Sequence, residues 1–245
     1  MTGILIDVRS KSYIGPHGRP HLAIHDLRLE LRAGEFVCLV GPSGCGKTTL
    51  LNLVAGLDRQ FDGSIQIDTR GAEPNIAYVF QNPRLLPWRT ARENIELALA
   101  DPGQRRAIRP LLQSLGIEQI QEQYPEKLSL GMSRRVALAR AFAVQPDLLL
   151  MDEPFVSLDA PAARRIRQLL IQVWQARPHT VLFVTHDLRE AIALADRLIF
   201  LTASPMTVAA SIPVDVPRLD RTADAWIESF RERLLDDYPA IEPLT

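Results

Sequence analysis

Cysteine, net charge and long apolar helices are what this sequence of 245 residues has least of, and each shortage excludes something. There are two cysteines, Cys38 and Cys45, at no metal-ligand spacing. A disulfide framework is therefore not expected, and both thiols read as reduced packing or loop residues. A formal net charge of −1 leaves no basic field to hold a nucleic-acid backbone, so no nucleic-acid partner is expected. The first residues carry no apolar core behind a basic start, so nothing points to export. One stretch imitates a membrane span: residues 198–214 are uncharged, near the length a spanning helix needs. It contains Ser204-Pro205 and several Thr and Ser, however, and Ile199, Leu201, Val208 and Ile212 suit strands. Two short strands joined by a turn are expected there, in a soluble chain with no span of its own. Hydrophobic residues at 47% and charged residues at 23% fit an ordinary globular protein with one large core or two lobes.

What is present centres on Gly41-Pro42-Ser43-Gly44-Cys45-Gly46-Lys47-Thr48-Thr49, which reads G-x-x-x-x-G-K-T. The pattern alone arises by chance in roughly one chain in a hundred of this length, so its setting decides its meaning. Five apolar residues of buried-strand type, 36–40, precede it, and 48–56 reads as a helix ended by Gly56. Strand, glycine-rich loop and helix together make a phosphate-binding loop: the glycines let successive N–H groups turn toward an anion, and the helix start adds partial positive charge. Lys47 would reach the β- and γ-phosphates, and the Thr48 hydroxyl would ligate Mg²⁺.

Residues 4–9 and 22–31 alternate as half-buried strands, and 63–68 and 76–80 add further strands around the loop. Tyr13 falls between the first two, in an expected loop with Gly15, Pro16 and Gly18. It could stack on a nucleobase or simply cap the small sheet. From Gln81 the texture becomes helical, over 90–100, 104–115 and 131–144, without sustained heptads, so an inserted helical subdomain is expected and a coiled coil is not. Leu85, Leu86, Pro87 and Trp88 put large apolar residues in a loop, either packed beneath it or forming a docking surface.

Residues 148–153 form an apolar run that ends in Asp152 and Glu153, suiting a parallel strand that delivers acids to its carboxyl edge. Asp152 would hold Mg²⁺, and Glu153 would take the proton of the attacking water. A second buried strand, 180–185, ends at His186, placed to sense the γ-phosphate or orient the water.

Taken in order, the Tyr13 segment, the Gly41 loop, Gln81, Leu128-Ser129-Leu130-Gly131-Met132, the Asp152-Glu153 strand with Ser157-Leu158-Asp159 behind it, and His186 resemble the ATP-binding subunit of ABC (ATP-binding cassette) transporters. The resemblance covers residues 1–215. It implies an α/β fold of the P-loop NTPase, ABC-type ATPase kind, with a small antiparallel β subdomain and a helical subdomain inserted at about 86–146. Residues 216–245 would form a short tail, helical over 223–235, with no regulatory domain. The resemblance further implies ATP and Mg²⁺, and two copies head to tail, each ATP lying between one copy's Gly41 loop and the other's Ser129 and Gly131. Tyr13 would stack on adenine, and Gln81 would link metal and water to the helical subdomain. Asp159 would belong to the interface between copies.

The signature departs from the family's L-S-G-G-Q at Leu130 and Met132. Leu130 forbids backbone conformations that glycine permits, so a modest cost to ATP-driven closure is expected. Phe80-Gln81-Asn82-Pro83 followed by Leu85, Leu86, Pro87 and Trp88, with Met132, resembles the nitrate, sulfonate and taurine importers. That likeness implies permease subunits docked near Leu85 to Trp88, indirectly a solute-binding protein, and a peripheral place on the cytoplasmic face of the inner membrane. Three alternatives stand beside it: an importer ATPase for a thiamine-precursor pyrimidine, a soluble ABC ATPase acting on ribosomes or DNA, and a subunit that binds ATP without hydrolysing it.

Overall fold

The computed structural model describes residues 3–14, 18–69, 71–218, 221 and 223–244. Gly15 and Pro16, from the loop expected beside Tyr13, lie outside them. In chain order the elements are β1 (Ile4–Ile14), β2 (Pro20–Leu31), β3 (Phe36–Val40), α1 (Lys47–Val54), β4 (Asp62–Ile67), β5 (Ile76–Val79), α2 (Ala91–Glu96), α3 (Ile108–Ser114), α4 (Leu130–Ala143), β6 (Leu148–Asp152), α5 (Ala160–Ala176), β7 (Thr180–Thr185), α6 (Leu188–Leu194), β8 (Arg197–Leu201), β9 (Val208–Pro213) and α7 (Asp224–Asp237). The chain forms two compact units: Met1–Ala72 with Thr180–Thr245, and Glu73–His179.

The first unit holds two sheets. In the smaller, β1 lies between β2 and β4, antiparallel to both. Ile4, Ile6 and Val8 alternate into its core. Beyond Val8 the pairing with β4 slips by one residue at Arg9, and a slip of one reverses which side chains face inward. Lys11 therefore takes the buried side. The same strand runs on through Tyr13, which pairs with His21, so Tyr13 is a strand residue and not the loop residue expected. An alternation read from Ile4 stops at Arg9 because the bulge breaks the phase.

In the second sheet β3 runs parallel to β7 on one side and β8 on the other, and β9 closes the edge antiparallel to β8. Every residue of β3 and β7 is buried, as in parallel strands covered on both faces. β8 and β9 are the two strands expected within 198–214. Among the described residues no helix is long and apolar enough to cross a membrane. The tail helix α7 buries Ile227 and Leu234. Glu228 on α7 pairs with Arg189 of α6 at 2.6 Å. The buried Arg221 guanidinium donates to the carbonyls of Ile192, Ala195, Val214 and Val216, tying the start of the tail to the end of α6.

In the second unit β5 and β6 pair in parallel, Val79 opposite Met151. The helical block is built from α2, α3 and α4. Thr90 and Glu93 close a capping box at the start of α2, which satisfies two backbone donors that a helix leaves open. The pattern over 104–115 is split into a 3₁₀ segment, Pro102–Ala107, and α3. Pro110 explains the split: without an N–H it is tolerated only in a helix's first turn, so α3 cannot extend far ahead of it.

Candidate functional site

The first unit carries the phosphate loop. Val40 at the end of β3 is in register with Thr185 at the end of β7, so the loop and His186 leave the sheet on one carboxyl edge. At Gly41 a Cβ would lie 3.1 Å from the Leu201 carbonyl oxygen, tighter than ordinary contact, so the β8 end would have to give by a few tenths of an ångström. Gly46, at φ 115°, turns the chain into α1 and offers that helix no side-chain cap. The start of α1 thus carries no side-chain cap from Gly46, and a helix start of this kind suits an anion. Lys47 is buried, and its Nζ donates to the carbonyls of Gly41 at 2.6 Å and Pro42 at 2.9 Å, so the side chain arches back over the loop. Among the described residues no carboxylate pairs with it, and a buried ammonium served by neutral carbonyls is a site that an anion completes. Pro42 and Thr49 are half-buried, while Ser43, Gly44 and Thr48 are exposed along the same loop.

Cys38 and Cys45 are buried and unbridged, as expected. Burial, and then the charges of Glu190 and Asp187, push the Cys38 thiol well up. Burial also raises Cys45, opposed by Lys47. Both are neutral thiols that fill space.

His186 is exposed just beyond β7. Its neighbours are held firmly: Thr185 donates to the buried Glu190 carboxylate at 2.9 Å, and Asp187 caps α6 by accepting from Arg189 N at 2.8 Å. Tyr13 is 40% exposed, with its hydroxyl 3.4 Å from Thr49 Oγ1 and 3.3 Å from Asp58 Oδ2.

The second unit carries the acids and the signature segment. Asp152 ends β6 and is buried. Tyr78 on β5 hydrogen-bonds it: burial, the Asp152 charge and that bond all hold the phenol above its ordinary range, opposed by Arg84. Glu153 follows in the left-handed region, at φ 43°, a conformation costing a non-glycine residue about 1–2 kcal/mol. The buried Arg134 of α4 holds that turn, donating to the carbonyls of Glu153, Pro154 and Val156. Neither Tyr78 nor Arg134 stood out in the sequence. A hydrophilic residue three places after Gly131 was the only available signal for Arg134, and Tyr78 read as an ordinary strand aromatic.

Gln81 is exposed after β5. The turn beyond it is tied to α4, since Arg140 donates to Pro83 O at 2.8 Å and Arg84 O at 3.0 Å. Leu85 and Leu86 are half-buried, whereas Trp88 is 68% exposed, so the segment is part packing and part bare surface. Ser129 caps α4 by accepting from Met132 N at 3.2 Å. Leu130 is the first residue of that helix, 41% exposed. Its backbone is right-handed helical, a conformation that leucine adopts freely. A Cβ added at Gly131 would meet only Ile166 Cδ1, at 4.0 Å, so packing within the chain does not require glycine there. Asp159 caps α5 by accepting from Ala162 N at 2.7 Å.

Each unit carries oxygen donors by itself: the first has the Thr48 hydroxyl on its exposed loop, and the second has the Asp152 carboxylate and the Gln81 amide. No group of three or more His, Cys, Asp or Glu is assembled among the described residues. Hydroxyl, carboxylate and amide oxygens are the kind of donor that Mg²⁺ takes, with water and substrate phosphates completing its shell.

A family model described as ABC transporter matches residues 24–156. The aliphatic sulfonates import ATP-binding protein SsuB of Bacillus subtilis is 36% identical, over 98% of this chain and 96% of its own. The nitrate import ATP-binding protein NrtD of Synechococcus elongatus is 40% identical, over 89% of this chain and 84% of its own. Among solved structures, the dimeric structure of MJ0796, a bacterial ABC transporter cassette, has a TM-score of 0.74 at 31% identity, covering 89% of this chain and 100% of that one. The same cassette in a post-hydrolysis state, bound to ADP and Pi, has a TM-score of 0.73 at 30% identity. Loop, sheets and acids together define an α/β ATP-binding cassette. The chain belongs to the ABC transporter family, as one of its ATPase subunits.

Proposed function

We propose that this chain is the ATP-hydrolysing subunit of a bacterial importer for a small anion of the sulfonate or nitrate kind. The observation that carries this is the likeness, over nearly the full length, to import ATP-binding proteins for sulfonates and nitrate. ATP is the substrate. Its phosphates are held by the backbone of residues 41–49 and by Lys47, whose buried ammonium has no carboxylate partner among the described residues. Tyr13 stacks on the adenine. Mg²⁺, when bound, supplies charge neutralisation on the β- and γ-phosphate oxygens. Thr48, Asp152 and Gln81 would hold it. Glu153 accepts the proton of the attacking water, and His186 contacts the γ-phosphate. A second copy contributes Ser129 and Gly131, with Asp159 at the interface. The space at Gly131 supports that role, since among the described residues a Cβ there would meet only Ile166 Cδ1 at 4.0 Å. A ligand bound only when two copies close shifts the pair toward the closed state. Closure drives permease subunits that dock near Trp88, on the cytoplasmic face of the membrane.

The test is to tag the chain in its own cell, extract membranes mildly and identify what co-purifies. A multi-span protein in one-to-one ratio is expected. ATPase activity of that complex, with its solute-binding protein, should rise with a sulfonate or nitrate. Recovery with ribosomes, with nucleic acid, or with no membrane protein would overturn the proposal.

A further inference from the structure

An ion pair with a buried ammonium and a part-exposed carboxylate lies beside the ring assigned to adenine. Lys11 and Tyr13, two residues apart on β1, share one face of the strand. The slip at Arg9 has turned that face inward at Lys11, which is only 2% exposed. Its Nζ is 2.7 Å from Asp58 Oδ2, donates to Gln60 O at 2.7 Å and sits 4.5 Å from the centroid of the Tyr13 ring. Asp58 stays ionised: its hydrogen bond with Lys11 and then that with Gln60 N hold its carboxyl below the ordinary range. The ring is thus fixed from two directions. The ammonium covers one face, and the hydroxyl is caught between Asp58 Oδ2 and Thr49 Oγ1. Tyr13 is nonetheless 40% exposed, so much of the side chain remains accessible.

An ion pair with one buried member contributes little to stability for the cost of desolvating its charge. Beside a part-exposed ring it has a different use. A ring locked in place loses little freedom when a base stacks on it, and a cation on the far face draws on the ring's electron density. Thr49 lies in the first turn of α1, next to Lys47 and Thr48, so one contact set fixes both the platform and its spacing from the phosphate loop.

We infer that Lys11 and Asp58 are positioning residues for the nucleobase, holding Tyr13 as a one-sided stacking platform. This rests on the reading of Tyr13 as the adenine contact. It is tested by measuring the affinity of the full chain for ATP and for inorganic tripolyphosphate, which has no base. Lys11→Met and Asp58→Asn are made together, so that the buried ammonium is not left without its partner. Asp58→Glu, which keeps the pair but moves the carboxylate, is the milder second variant should the first fail to fold.

The double variant should bind ATP roughly three- to tenfold more weakly, the cost of ordering one released side chain. It should bind tripolyphosphate as before and add nothing in a Tyr13→Ala background. Asp58→Glu should act in the same direction by less. If both ligands weaken together, the pair acts through the phosphate loop or the fold and the proposal fails. If ATP binding is unmoved, it fails as well. Should the unsubstituted chain bind tripolyphosphate as tightly as ATP, the reading of Tyr13 itself is overturned, and the inference with it.

Discussion

Arg134 is where a single substitution should separate the chemistry from nucleotide binding. Its guanidinium is buried and reaches three backbone carbonyls of the turn that starts at Glu153, at 3.5 Å for Glu153, 2.5 Å for Val156 and closely for Pro154. Two of these are strong. A hydrogen bond from a charged donor contributes about 1.5–3 kcal/mol, so the pair contributes about 3–6 kcal/mol before the cost of burying the guanidinium. With that cost removed, Arg134→Met should destabilise the chain by about 3 kcal/mol. For a protein of this size each kcal/mol lowers Tm by about 2–4 °C, giving a fall of about 6–12 °C. The catalytic effect has a separate origin. Glu153 is held at φ 43°, and without Arg134 the turn can relax toward ordinary geometry and carry the carboxylate with it. A misplacement near 1 Å costs on the order of 10²-fold in rate. Steady-state ATPase, assayed well below the melting transition, should show kcat reduced by about that factor with the KM for ATP nearly unchanged. Arg134→Lys should fall between. A lowered Tm with full kcat would show that Arg134 is structural only, and no change in either would refute the reasoning outright.

The remaining expectations concern pH, coupling and the tail. Burial, chiefly, lowers the pKa of His179, so the folded chain binds that proton less readily than the unfolded chain does. Its contribution to stability is present above about pH 6.5 and lost as pH falls below it, so melting curves between pH 7.5 and 5.5 should steepen in slope there. His179→Gln should flatten that part of the profile. Trp88→Ala should spare basal ATPase and abolish solute-stimulated ATPase in the membrane complex, since Trp88 is 68% exposed and supports little within the chain. Equal loss of both activities would contradict this. Arg221→Ala should lower stability by about 3–5 kcal/mol, because four carbonyls lose one buried donor together. Chemical denaturation of the full chain would read that change.

The parts legible in the sequence were those with a repeating local pattern. β3, β6 and β7 are buried throughout and apolar but for their ends, because both faces of a parallel strand are covered, and the glycine loop carries its own spacing. The strand pair inside 198–214 was readable because Ser204-Pro205 interrupts an otherwise uncharged run. What escaped were single polar residues whose partners are remote or are backbone. Arg134 serves carbonyls about twenty positions away, Arg221 closes on four carbonyls, and Lys11 finds Asp58 only after α1 has intervened. A backbone carbonyl is the same at every position and leaves no mark in a sequence. Tyr13 was placed in a loop for a related reason: one extra residue at Arg9 breaks an alternation that the strand itself survives. Leu130 was judged by the amino acid it replaces, whereas its conformation is set by the helix that begins there.

The central claim is that this chain hydrolyses ATP with Glu153 as the base. The most direct measurement is ATP binding and steady-state hydrolysis of Glu153→Gln beside the unsubstituted chain. The amide keeps the shape of the side chain but cannot take a proton. The account predicts unchanged ATP affinity with hydrolysis reduced roughly 10²–10⁴-fold, the scale of a lost general base. Unchanged affinity with undiminished hydrolysis would contradict it.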